Sequence, residues 1–301
     1  MDWVWVMRII NNKKDLIDLI LNNKTIRECL IRDIDFYDDD NLFIQTEIED
    51  EIVLHNCVLY NCSFSSNSKG SIIFNVTDKI SILKCTFSSD TVEIYNTPSS
   101  VFSTYSEGVT VYVRDSKFEG KLSILYSETK LFFINSVAEK ITYKYEISDF
   151  YLVNSNVGII DFLSEYLTID LSEGEFVLVG SKVNIVDFAH LITIKYCDKF
   201  SPLLDLLLDS EVLVRCTKIT FFRCDLSNRS VDNITVRSGI VFEQCNMTNS
   251  DFSSLHKKIS HDTAMTFRHN CIGLDTINFG NEEKYFEKRE DALAVRVTIF
   301  K

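Results

Sequence analysis

Ten copies of one hexad line up along this 301-residue chain, each with a Ser or Cys three places after one apolar residue and two places before another. The copies are "IRECLI" at Cys29, "LHNCVL" at Cys57, "ILKCTF" at Cys85, "VRDSKF" at Ser116, "FINSVA" at Ser136, "LVNSNV" at Ser155, "LVGSKV" at Ser181, "LLDSEV" at Ser210, "FFRCDL" at Cys224 and "FEQCNM" at Cys245. A hexad that returns at irregular intervals of 14 to 31 residues is the mark of a repeat architecture in which each turn carries its own loop length. Between the anchors lie short β-branched and aromatic runs, such as "GVTVYVRD", "KLFFIN" and "KITFFRC", punctuated by Ser, Asn and Asp. Only two prolines, Pro98 and Pro202, interrupt the chain, so strand ladders run almost undisturbed.

An all-β, right-handed parallel β-helix accounts for these features together. Short strands stack in register, their inward side chains form columns along the axis, and a narrow bend between two faces selects Ser or Cys. The competing fold is a β-sandwich of alternating strands. Against it stand the recurring anchor, the scarcity of Gly and Pro for tight hairpins, and the lack of Asn-Gly or Asp-Gly turns inside the repeats.

Three stretches step by five residues: "CLIRD IDFYD" from Cys29 to Asp38, "CVLYN CSFSS" from Cys57 to Ser66, and "CNMTN SDFSS" from Cys245 to Ser254. Five matches neither the 3.6 period of a helix nor the period of 2 of a strand. These doublets resemble the pentapeptide-repeat proteins, and the resemblance implies a right-handed β-helix in which a small residue is followed two places later by Leu or Phe. The family includes acidic inhibitors that imitate duplex DNA in the cleft of a DNA-binding enzyme. Mimicry by the whole chain does not fit: ten turns at about 4.8 Å each span about 45 Å, a length of duplex carrying about 26 charges, against a net charge of -13 here.

The ends depart from the repeat. Residues 1–25 read as a strand and a capping helix, with Leu16, Ile17, Ile20 and Leu21 on one helical face of "NKKDLIDLILNNK". Residues 26–252 form the β-helix, and the pattern fades over 253–301, a small α+β cap or assembly segment. "SPLLDLLLDS", residues 201–210, is open between helix and buried strand. Terminal turns of a solenoid need covering, because their edges otherwise recruit strands.

Charge and cysteine usage narrow the function. An acidic balance argues against direct nucleic-acid or anionic-membrane binding and for a partner with a basic surface. The nine cysteines lack zinc-type CxxC pairs and read as reduced core thiols of a cytoplasmic protein. The opening "MDWVWVMRII" carries Asp2 where a signal peptide carries positive charge, and no segment reaches membrane-spanning length. The glycosylation-type triplets at Asn75, Asn228, Asn233 and Asn246 are then expected to stay bare.

Signatures of chemistry are missing: there is no GxSxG, HExxH, phosphate-binding or dinucleotide loop. His256, His261, His269 and Cys271 form no standard zinc spacing, and His55 and His190 stand apart, so no metal or cofactor is expected. Polysaccharide-degrading β-helices need paired carboxylates, and the acidic runs here single out no pair. The expectation is a non-enzymatic interaction protein, a phage- or virus-encoded inhibitor that binds and obstructs a host nucleic-acid enzyme or defence complex. Its candidate contact is the acidic patch Asp33, Asp35, Asp38, Asp39, Asp40, Glu47, Glu49, Asp50 and Glu51. Trp3 and Trp5, on one face of an N-terminal strand, are the candidates for self-association into a homo-oligomer.

Overall fold

The computed structural model describes residues 8–22, 25–36, 44–45, 53–65, 71–89, 91–95, 109–125, 129–144, 147–164, 166–172, 175–188, 190–208, 211–231, 234–253, 264–279 and 296–299. The chain divides into two compact units. The first holds residues 1–158 with 179–182, the second 159–178 with 183–301. Both are dominated by parallel β-structure, and among the described residues no helix is long and apolar enough to cross a membrane.

Most strands of the first unit fall into three parallel ladders. The first ladder runs through 79–83, Thr110–Arg114, Thr129–Ile134 and Ile147–Val153, with Val111 opposite Ile80 and Leu131, and Phe133 opposite Val113 and Leu152. Alternation turns Val111, Val113, Leu131, Phe133, Phe150 and Leu152 inward, all buried. The second ladder joins Ser63–Ser65, Thr86–Ser88, 117–118 and 137–138. Its inward Phe64, Phe87 and Phe118 stack with ring centroids 4.8 and 4.6 Å apart, the repeat spacing of a parallel ladder expressed in side chains. The third joins 71–75, Thr91–Tyr95, 121–124 and 140–143. A short strand, Ile44–Gln45, pairs antiparallel with Ser71 and Ile72.

The bend between the first two ladders explains the small anchor. Asn61, Lys84, Asp115, Asn135, Asn154 and Gly180 all have φ between 47° and 60°, and each is followed by the anchor: Cys62, Cys85, Ser116, Ser136, Ser155 and Ser181. A left-handed residue breaks the local ladder, and the anchor side chain repairs it. The Ser116 amide donates to Ser136 Oγ at 3.0 Å, Ser136 to Ser155 at 3.1 Å and Ser155 to Ser181 at 3.0 Å. Each of these hydroxyls donates in turn to the carbonyl two residues earlier, as Ser136 does to Ile134 at 2.7 Å. Ser and Cys are selected for size and also for carrying the bonds that the bend removes.

The second unit repeats the device. Its main ladder runs through Tyr166–Asp170, Leu191–Lys195, 218–222, 239–243, Ala264–Arg268 and Arg296–Ile299. Left-handed Tyr196, Arg223, Gln244 and Asn270 precede Cys197, Cys224, Cys245 and Cys271. The five-residue doublet is visible here as paired inward positions: Cys245, Met247, Ser250 and Phe252 are all buried, with Asn249 left-handed between the two steps. Residues 264–279, which the sequence assigns to the C-terminal segment, continue the parallel pairing, with Ile272 bridging Asn246 and Asn278 bridging Asp251.

Several sequence expectations shift. Cys57 is buried but lies inside the strand Val53–Tyr60, opposite Ile80; the bend anchor of that repeat is Cys62. Cys197 and Cys271 are anchors that the hexad missed, and Ser210 lies outside the described residues. Helix α1, Lys13–Asn22, starts from a reciprocal cap in which Asn12 Oδ1 accepts from the Asp15 amide at 2.8 Å and Asn12 Nδ2 donates to Asp15 at 2.6 Å. Leu16 of this helix is fully buried. The open segment 201–210 contains a second helix, α2, Pro202–Leu208. Proline is favoured in the first helical turn, and Leu203, Leu204, Leu206 and Leu207 are buried.

Candidate functional site

Within the first unit, the second and third ladders are joined by a bulge. Phe118 lies opposite Ala138 and Lys121 opposite Lys140, so Glu119 and Gly120 together face Glu139 alone. The extra residue opens a hollow of about 470 Å³ lined by Ser88, Ser89, Glu119, Gly120, Lys121, Glu139 and Lys140. In the following repeat Gly158 comes so close to this turn that a Cβ on it would sit 2.5 Å from the Glu139 carbonyl oxygen.

The hollow is charge-balanced, with two carboxylates beside two ammonium groups. Lys117 Nζ donates to Glu119 at 2.8 Å, and this bond, with one from Ser88, holds the Glu119 carboxyl below its ordinary range. A general acid needs the opposite displacement. The arrangement suits holding a polar group better than protonating a leaving group.

A second surface lies on the outer side of the first ladder. Tyr112, Phe132 and Tyr151 form one outward column, with centroids 6.0 Å apart for the first pair and 4.4 Å for the second. Beside it run Leu83, Arg114, Ile134 and Val153, with Val179 following Val153 and 55% exposed. On its other flank Lys130 pairs with Asp149 at 2.7 Å. Phe132 and Tyr151 stand nearly parallel, at 10°, so the column presents ring edges rather than faces. The anchor frame contains this signal: the three rings sit four residues before Ser116, Ser136 and Ser155.

Of the acidic patch, the structure describes Asp33 and Asp35. Asp33 is a left-handed corner residue whose carboxylate accepts from Asn61 Nδ2 at 2.7 Å and lies 3.6 Å from Arg32 Nε; Asp35 accepts from the Ser63 hydroxyl. Both are therefore tied to the next repeat. Asp38, Asp39, Asp40, Glu47, Glu49, Asp50 and Glu51 lie outside the described residues, as do Trp3, Trp5, His256 and His261. His269 Nε2 approaches Glu243 at 4.0 Å, and Cys271 Sγ donates to the carbonyls of Phe242 and Arg268. Among the described residues no group of three His, Cys, Asp or Glu side chains is placed to hold a metal ion.

No family model, curated protein or solved structure matches the chain.

Proposed function

We propose that this chain is a right-handed parallel β-helix that works by binding another protein and carries out no chemistry of its own. The observation that carries the reading is the outward column Tyr112, Phe132 and Tyr151 beside Ile134, Val153 and Val179. A parallel sheet with its inner face filled usually turns polar or covered residues outward. A contiguous apolar, aromatic stripe on a rigid ladder is the composition of a protein interface core. The net charge of -13 favours a partner whose own apolar patch is rimmed by basic groups, and obstruction of a basic groove is the mode of action this charge fits.

The test compares the protein with Phe132→Asp and with the triple variant Asp38→Asn, Asp39→Asn, Asp40→Asn, by cross-linking and mass spectrometry in cells that express each. Phe132 is half-buried between Tyr112 and Tyr151, so Phe132→Asp is expected to cost about 1–2 kcal/mol, and capture is compared at a temperature where the unfolding midpoint shows the variant folded. The reading requires one partner that the parent captures and Phe132→Asp loses. Identical capture by both would remove the stripe from the interface. Light scattering on the purified chain separates a second copy from a foreign partner: a dimer that Phe132→Asp dissociates assigns the stripe to self-assembly.

A further inference from the structure

The second unit holds a smaller hollow of different chemistry, about 240 Å³, lined by Asp187, Phe188, Arg215, Cys216, Thr217, Thr235 and Arg237. It too sits at a ladder irregularity. Arg215 lies opposite Asp187 on one side and Thr235 on the other, and the register slips between Cys216 and Lys218. The slip is pinned: the amides of Thr217 and Lys218 both donate to the His190 carbonyl, at 2.9 and 3.2 Å, and Ser238 Oγ donates to the Thr217 carbonyl at 2.9 Å. Phe188 and Cys216 are buried and form an apolar floor, while Arg215 and Arg237 are exposed.

We propose that this hollow binds a small tetrahedral oxyanion, a phosphate or sulfate group, between the guanidinium groups of Arg215 and Arg237 with the hydroxyls of Thr217 and Thr235 as further donors. Three features support the assignment. The lining has two arginines against one carboxylate, in a chain where 44 acidic residues outnumber 31 basic ones. Both cations are Arg, whose planar fork matches oxyanion geometry as a lysine ammonium does not. The volume lies below the roughly 300–1,000 Å³ of sites for drug-sized ligands, which fits an oxyanion with at most a short organic remainder. Burial, reinforced by Asp187, pushes the Cys216 thiol up to about 12, so the floor stays neutral at physiological pH and does not compete with the anion. Asp187, opposite Arg215 in the ladder, opposes any bound anion and so weakens the site.

Isothermal titration with inorganic phosphate, at ionic strength held constant with chloride, reads the site directly. Saturable one-to-one binding is expected for the parent, weakened at least about tenfold in Arg215→Gln and independently in Arg237→Gln. Asp187→Asn is expected to tighten it. Sodium sulfate and glycerol phosphate, titrated in the same way, distinguish a bare inorganic oxyanion from a phosphomonoester. Unfolding midpoints in phosphate-free buffer report whether each variant is folded, and two separate arginine variants keep the test decisive if one is not. No saturation by about 10 mM phosphate, or equal binding by folded Arg215→Gln and Arg237→Gln, would overturn the proposal. The aromatic stripe of the first unit plays no part in this titration, so either result leaves that reading to its own test.

Discussion

The backbone amide of Ser116 donates to the hydroxyl of Ser136 across 3.0 Å, although twenty residues separate them in the chain. Ser136 occupies the centre of a relay, accepting from Ser116, donating to the Ile134 carbonyl and sending its own amide to Ser155. It is also buried. Ser136→Ala removes one acceptor and one donor and leaves the Ser116 amide without its partner, which costs about 1–3 kcal/mol. Ser136→Cys restores a group that other repeats use at the same bend, as Cys62 and Cys85 do. Urea denaturation is expected to rank the parent first, then the cysteine variant, then alanine.

The residue before each anchor supplies a second prediction. Lys84 has φ 54° with a side chain that gains nothing from that conformation, whereas Asn135, φ 47°, is a type that tolerates it. Asn135 also donates to Asp115 at 3.2 Å. Asn135→Val, placing a β-branched residue in the left-handed region, is expected to lose about 1–2 kcal/mol. Lys84→Asn is expected to gain up to about 1 kcal/mol, less whatever the exposed Lys84 contact to the Tyr60 hydroxyl contributes. Equal midpoints for both variants and the parent would show that the corner conformation carries no strain.

How much of this was legible follows from where each signal lives. The hexad finds Cys85, Ser116, Ser136, Ser155, Ser181, Cys224 and Cys245 because strand alternation places apolar residues at fixed distances from the bend. It misses Cys197 and Cys271 because Lys199 and Gly273 stand two places on, where those repeats turn differently. It picks Cys57 over Cys62 because a five-residue doublet offers two buried small residues, and only the left-handed Asn61 marks the true corner. That mark is invisible wherever the corner residue is Lys84, Tyr196, Arg223 or Gln244. The two hollows were illegible for another reason: a bulge exists only relative to a neighbouring strand, so Glu119 or Thr217 carries no trace of it in its own segment. The tethering of Asp33 and Asp35 is likewise a property of register, since Asn61 and Ser63 lie 28 residues away.

Gly158 offers a test of that register. Its backbone passes the Glu139 turn so closely that a methyl group would stand 2.5 Å from a carbonyl oxygen, and neither partner is a flexible side-chain end. Gly158→Ala is expected to cost about 1–3 kcal/mol as an overpacking change. Alanine normally stabilises an extended strand relative to glycine, so the sign is diagnostic. A stabilised variant would mean that the two repeats do not stack in this register.

The cysteines give a pH-dependent prediction. All nine are free thiols, eight are buried, and Cys271 is half-buried. Burial raises Cys29 and Cys271 above the usual thiol value near 8.5, and burial with Asp187 pushes Cys216 up to about 12, so the native protein keeps Cys216 protonated well past that value. A raised folded pKa means that the unfolded chain gives up its proton first. The stabilisation is fully present below about pH 8.5 and is lost as pH climbs from there towards the folded value near 12. Cys216→Val removes this titration while keeping an apolar side chain beside Val236, so its midpoint is expected to fall less between pH 8 and 11 than the parent's. In the same samples at pH 8, iodoacetamide is expected to modify Cys271 first and the other eight only after urea exposes them. Parallel pH profiles for parent and Cys216→Val would show that this thiol titrates as freely in the folded chain as in the unfolded one.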